Sequence, residues 1–355
     1  TVAIGKDSLQ SLTSGTGNTA VGFSSLSTCA TGDYNTAFGY NTLKLMSGSG
    51  NIGNTALGFN ALQSCTSGSK NVGISVDALS GLTTGEGNIA IGYAAGGGMS
   101  TSETNKDSDH NTFIGVDVGG GNWADPVSEQ NVAIGNYALD GLLDGATGNV
   151  CVGYFAGSGV TSGDEGVFIG KEAGKGITIG LGNVAVGKNA MGGVTVEAAN
   201  YNVAVGHSAL QGTSATNQAG TVAVGFNALS SLTTAAGNTA VGNRAGQTIT
   251  SGPNNTVVGH NALDALIDGQ GNTAIGFNAL TAADAGEEYN TCIGYGAGDT
   301  IDGGDRNTCL GTITRTSAAT SADQIVIGFN FSGTADSAVH IGNGTRHIRC
   351  DYGSD

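Results

Sequence analysis

The chain has 355 residues, 64 of them Gly, and a formal net charge of −16. Charged side chains make up only 11% of it, against about 25% in ordinary soluble domains, so Ser, Thr and Asn must supply most of the polar surface. The acidic balance argues against nucleic acid, whose phosphates call for clustered Lys and Arg. No apolar run approaches the ~20 residues of a membrane span, so membrane insertion is not expected either.

From its first residues the chain repeats itself. The stretch GNTAVGFSSL (17–26) returns as YNTAFGYNTL (34–43), GNTALGFNAL (53–62), GTVAVGFNAL (220–229), NNTVVGHNAL (254–263) and GNTAIGFNAL (271–280). Anchored on the glycine that closes the N-T-A-V-G motif, the copies run through Gly5, Gly22, Gly39 and Gly58, pass Ser75, and continue from Gly92 to Gly342, 20 in all. The commonest step is 17 residues, with longer steps of 23 (92–115) and 20 (115–135) and a last step of 14. Seventeen residues cannot hold a strand, a helix and two loops, but they hold one turn of a β-solenoid. The alternating β-branched residues after each Asn read as a short strand. The two prolines, Pro126 and Pro253, both fall in connecting runs, where a missing donor breaks no ladder. Gly shows no period of three, which excludes collagen. The expected fold is therefore an all-β β-solenoid (β-roll or β-helix) of about 20 coils. Residues 1–311 form a regular shaft and 312–355 less regular C-terminal coils. At ~4.8 Å per strand step, such a shaft would extend roughly 95 Å. Thr1 already lies within a repeat, so an excerpt of a longer chain, or a processed product, is expected.

Set one above another, the copies become columns. Asn stands four residues before the anchor in 15 copies, among them Asn18, Asn35, Asn54, Asn88, Asn238 and Asn272. Stacked coils would form these into a hydrogen-bonded ladder at a corner, where Asn also tolerates left-handed geometry. Next come Thr or Val, then a small residue (Ala20, Ala133, Ala185, Ala223, or Cys151, Cys292, Cys309), then an aliphatic one (Val21, Ile134, Val186, Ile275). Side chains alternate along a strand, so the Ala/Cys column faces one way and its two neighbours the other. Both faces are nearly apolar, and both are expected to be covered. One cover is the coil's own interior with its Leu-x-x-Leu columns (Leu79/Leu82, Leu229/Leu232). The other is supplied by partner chains, as in a parallel homotrimer, although two chains or another partner also satisfy the pattern. Ala20, Ala133, Ala185, Ala223, Val186 and Ile275 are thus candidates for core or trimer packing. The column after the anchor holds Phe23, Tyr40, Phe59, Phe226, Phe277 and Tyr295 beside Lys171, His207 and His260. It reads either as coil-on-coil packing or as a platform for sugar rings.

Catalytic motifs fail their context tests. GSGNIG (48–53) matches G-x-G-x-x-G but neither follows a dinucleotide-type strand nor opens a helix. No G-x-S-x-G occurs, the five His show no metal spacing, and the six Cys sit in structural columns without a C-x-x-C. The acidic turns GDEG (163–166, with Glu172 a few residues on) and DGGD (302–305) read as solvated charges, the latter a weak calcium ligand at most. No enzyme, cofactor or metal is expected. The regularity breaks at GGGMSTSETNKDSDH (96–110) and GGGNWADPVSEQ (119–130), which carries the only Trp. Recognition tends to sit on loops of a rigid scaffold, so Asp109, His110, Trp123 and Asp125 are candidate receptor or glycan contacts. The competing reading makes Trp123 a hydrophobic plug.

The NTAVGFNAL-type repeats resemble the shafts of phage and large-virus tail fibres. More distantly they resemble the N-x-x-A-I-G head repeats of trimeric autotransporter adhesins. The segment 321–355, SADQIVIGFNFSGTADSAVHIGNGTRHIRCDYGSD, is similar to the part of such fibres that precedes an endosialidase-type intramolecular chaperone. That resemblance implies a trimerising chaperone, missing or cleaved, and a processing junction at Ser354 and Asp355. It also implies a structural fibre protein of the virion, in contact with other virion attachment proteins, that spaces or presents binding to a host cell-surface glycan or protein. The alternatives are a bacterial trimeric adhesin at the cell surface, an ice-binding solenoid suggested by the Thr column, and a polysaccharide depolymerase.

Overall fold

A computed structural model describes residues 1–99, 108–121, 123, 127–193, 199–212 and 219–351, and among these there is no helix. The chain is an all-β β-solenoid: each copy of the repeat contributes one short strand and a run of turns. The coils fall into two compact units, 1–182 and 183–355. The division lies inside the repeat array, while the strands continue past residue 311.

In the first unit the strands are Val2–Ile4, Thr19–Val21, Thr36–Phe38, Thr55–Leu57, Val72–Ile74, Ile89–Ile91, Thr112–Ile114, Val132–Ile134, Val150–Val152 and Val167–Ile169. Consecutive strands of this unit pair in parallel, with equivalent residues opposite each other, as Ala20 lies opposite Ala3 and Ala37. The second unit repeats the arrangement from Val184–Val186 through Val203–Val205, Val222–Val224, Thr239–Val241, Thr256–Val258, Thr273–Ile275, Thr291–Ile293 and Thr308–Leu310. Its last parallel strands lengthen to five residues (Ile325–Phe329) and six (Ala338–Asn343). Arg346–Asp351 then folds back antiparallel on Ala338–Asn343. Two small parallel pairs flank the main ladders, Gly32–Asp33 with Gly50–Asn51 and Thr314–Arg315 with Phe331–Ser332.

In every three-residue strand but the first, Val2–Ile4, which is exposed throughout, only the middle residue is buried. Ala20, Ala133, Ala185 and Ala223 are fully buried inside their own coils, whereas Val186 and Ile275 face outward and are half-buried. The small-residue face therefore needs no partner chain, and of the two readings, core or trimer packing, these Ala residues take the core. Around it stand the Leu column four residues after the anchor (Leu26, Leu43, Leu62, Leu229, Leu263) and the column seven or eight after it (Cys29, Met46, Cys65, Leu82, Leu143, Ile177).

Large and small residues compensate between columns. Phe113 takes the Ala position, and Gly96 and Gly119 stand in the flanking Leu column, where a Cβ would press on its ring. Phe168 does the same with Gly157 and Gly174. Phe168 also explains a gap in the Asn column, since a Cβ at Gly166 would meet its ring.

The turns use left-handed backbone at set positions. In one coil Gly220, Asn227 and Leu229 have φ of 69°, 54° and 49°. Asn accepts this geometry readily, which accounts for Asn41, Asn60, Asn227, Asn261 and Asn278 two residues after the anchor. The ladder Asn residues do not adopt it, which corrects the left-handed geometry expected of them. Leu in this conformation costs roughly 1–2 kcal/mol, but complete burial of its side chain returns about 1.5–3 kcal/mol, so burial wins.

Two substitutions test this packing. Gly166→Asn is expected to destabilise by about 1–3 kcal/mol, an overpacking cost, and to do so much less in a Phe168→Ala background; additive effects in urea denaturation would contradict the steric account. Ala223→Leu should lower the unfolding midpoint, while exposed Lys188→Ala should leave it in place.

Candidate functional site

The Asn column is a closed network. Asn18 Oδ1 accepts the Asn35 backbone N–H (2.9 Å) while its Nδ2 donates to the Gly32 carbonyl (2.7 Å). The same pair of bonds recurs at Asn54, Asn88 and Asn111 in the first unit. It recurs at Asn255 in the second, where Asn238 Oδ1 also accepts the Asn255 N–H (2.8 Å) and Asn272 donates to the Glu287 carbonyl. Where Gly166 or Gln324 replaces Asn, the preceding Asn still accepts its backbone N–H. Asn18, Asn35, Asn54, Asn88, Asn238 and Asn272 are all fully buried. Their amides serve the backbone of the next coil, so the column is not a row of ligand sites.

The aromatic column stacks on itself. Phe23, Tyr40 and Phe59 form one ladder, with centroids 5.1 and 5.3 Å apart and planes 14° and 10° from parallel. His260, Phe277 and Tyr295 form another. Each inner ring gives its faces to its neighbours and only its edge to solvent, so these ladders pack coil on coil. A sugar would need a free face.

Among the candidate contacts, Trp123 is 5% exposed. Its indole N–H donates to the Gly119 carbonyl (3.1 Å) and its ring meets Phe113 edge-on at 5.8 Å. It lies eight residues after Gly115, the same offset as Leu143 after Gly135, and so fills the second Leu column. This corrects the expectation of a surface contact: Trp123 offers no face to a ligand. His110 is exposed at a left-handed corner (φ 57°), its ring over Gly87. Asp109 is half-buried and its Oδ1 accepts the Glu86 N–H (2.6 Å). The structure thus places Asp109 and His110 at the corner beside Glu86. Asp125, Ser354 and Asp355 lie outside the described residues.

That corner column also forms an open groove of ≈ 450 Å³ lined by Tyr34, Ile52, Gly53 and Lys70. It exists because Gly53 has no side chain between Tyr34 and Lys70, the equivalent residues of the neighbouring coils. Lys70 pairs with Glu86 and holds its carboxyl below the usual range. The sequence signal for the groove was the alternation Tyr34, Gly53, Lys70, Gly87 at one repeat position.

Five cysteines are buried and Cys350 is exposed. Burial pushes the Cys65 thiol up to about 12, and Cys151 and Cys292 are also raised, the latter chiefly by its hydrogen bond with Cys309. Neutral buried thiols are structural, not nucleophilic. A further group, unread in the sequence as a unit, brings together Asp284, Glu287 and Asp302. Burial raises the Glu287 carboxyl above its ordinary range. No family model matches the chain, and no curated protein matches it.

The ladder yields a stability prediction. Asn255→Ala leaves the Asn272 N–H and the Gly269 carbonyl without their partner and should cost about 1–3 kcal/mol. Exposed Asn243→Ala should stay within ~0.5 kcal/mol. Equal effects in equilibrium urea unfolding would refute a special role for the buried column.

Proposed function

We propose that the chain is a structural fibre shaft, assembled as a parallel homotrimer, that spaces or presents host-receptor binding on a viral tail fibre. The observation that carries this reading is the outward face of the ladders. In strand after strand the two residues flanking the buried one are apolar or Thr and remain half-open to solvent. Large aliphatics recur along this face, including Ile4, Leu57, Ile91, Ile134 and Ile169 in the first unit and Val241, Leu310 and Ile341 in the second. Over the nine steps between the ten parallel strands of one unit, such a stripe extends roughly 43 Å. A monomer rarely leaves so long an apolar face in water.

A second copy of the same chain is the natural cover. Its outward face has the same coil-to-coil period, so contacts match at every step. Three such faces closing around a common axis leave none exposed. Each coil then adds a small apolar gain of about 25 cal/mol per Å² buried, multiplied along the array. The repeat-level resemblance to tail-fibre shafts supports the viral assignment.

Sedimentation equilibrium of the purified chain should give three times the monomer mass, and Val241→Asp with Ile275→Asp on the outward face should dissociate it. A monomer whose unfolding midpoint does not depend on concentration would sink the trimer. Antibodies to the chain should decorate virion appendages from its source; labelling confined to a bacterial surface would replace the viral reading with the adhesin.

A further inference from the structure

The carbonyls that receive the Asn ladder identify a second interior column. Asn238, Asn255, Asn272 and Asn290 donate to the carbonyls of Gly252, Gly269, Glu287 and Gly304. Three of these residues are glycines, and the fourth is a glutamate whose side chain is fully buried. It arrives with a coil of 18 residues, Gly276 to Gly294, one longer than the usual 17. Glu287 Oε1 accepts the Gly303 N–H (2.7 Å), but Oε2 is buried without a hydrogen-bond partner. A buried carboxylate stays ionised only when it is paired or ligates a cation. Among the described residues, none of the ion pairs involves Glu287. Its charged neighbours are instead two exposed carboxylates, Asp284 from its own turn and Asp302 from the next coil. One oxygen from each of the three lies within 4.8 Å of the others.

We infer that Asp284, Glu287 and Asp302 form a divalent-cation site, suited to calcium, that ties the long turn of one coil to the turn of the next. All three donors are hard carboxylate oxygens, which select calcium-type ions over the softer metals that favour Cys and His. One oxygen from each residue lies within 4.8 Å of the others, close enough for a single ion with ~2.4 Å bonds to bridge all three. Glu287 anchors the ion from inside, held by Gly303. The exposed aspartates leave a path from solvent and room for water ligands. Two of the three negative charges are neutralised, and the buried Oε2 gains a partner. The turn around Asp284 is thereby fixed to the DGGD turn at 302–305.

The test uses the full chain stripped with chelator and titrated calorimetrically with calcium chloride. The expected result is one saturable site with a Kd of about 10⁻⁴–10⁻³ M, the range of extracellular calcium modules, and an unfolding midpoint that rises with calcium more than with magnesium. Asp284→Asn and Asp302→Asn, both at the surface, should fold normally and weaken binding by roughly tenfold or more. Asp323→Asn, whose partner is Arg306, should bind as the parent does. Glu287→Gln should lose the calcium response while keeping or raising its midpoint in chelator, since a neutral amide no longer needs a counter-charge. The inference falls if no saturable uptake of calcium or magnesium occurs up to about 10 mM, well above that range, which would mean that a proton satisfies Glu287. It falls equally if Asp284→Asn combined with Asp302→Asn, or Glu287→Gln alone, binds calcium undiminished.

Discussion

Everything in these units follows from the distance between one coil and the next. Parallel pairing brings successive backbones to about 4.8 Å, and at the anchor position the carbonyl of the next coil lies where a side chain would begin. A Cβ at Gly225, whose φ is 138°, would collide with the Gly242 carbonyl. Ser75 alone breaks this column, and holds a φ of 114° to do so. That strain, of order 1–3 kcal/mol, is tolerated because the strands Thr55–Leu57 and Ile89–Ile91 on either side fix its coil. Glycine recurs here because a side chain at the stacking distance meets the backbone of the next coil, a strain that only Ser75 bears.

The same distance sets the economy of the interior. With coils this thin, the core is a few columns one side chain wide, so each residue's size is felt by the coils above and below it. Phe113 and Phe168 are accommodated only by glycines in the adjacent column. Polar groups obey the same logic. The corner backbone would be left with buried, unpaired N–H and C=O groups, and the Asn amide, one acceptor and two donors, matches that need. Repeat proteins are stabilised by nearest-neighbour terms, and in this one those terms include hydrogen bonds from Asn side chains to the backbone of the next coil in most coils.

The period, the strand and the inward or outward sense of its neighbours were legible in the sequence because each leaves a periodic trace: 17 residues for the coil and two for the pleat. What was illegible lacks such a trace. Two Asn columns exist, and nothing in the residue type tells which one bends the chain to the left-handed side; it is the one at Asn227, while Asn238 takes the ladder. Trp123 looked like a loop residue because its coil inserts one residue before the Leu column. The small-residue face looked available to partners because Ala fits a tight interface as well as a tight core. Glu287 sat in a run of acidic letters, and only the packing of coils revealed that it stands where the coils on either side have Gly269 and Gly304.

The antiparallel return of Arg346–Asp351 has a consequence of its own. A ladder of identical parallel strands offers at its edge a template that a further strand of the same kind could extend. Here the strand laid on Ala338–Asn343 runs the opposite way, carries Arg346, His347, Arg349 and Asp351, and is exposed along all six residues. The next rung would have to pair against reversed polarity and charged side chains. Beside Ala338–Asn343 the hairpin thus places a reversed, charged strand where another parallel rung of the repeat would otherwise pair.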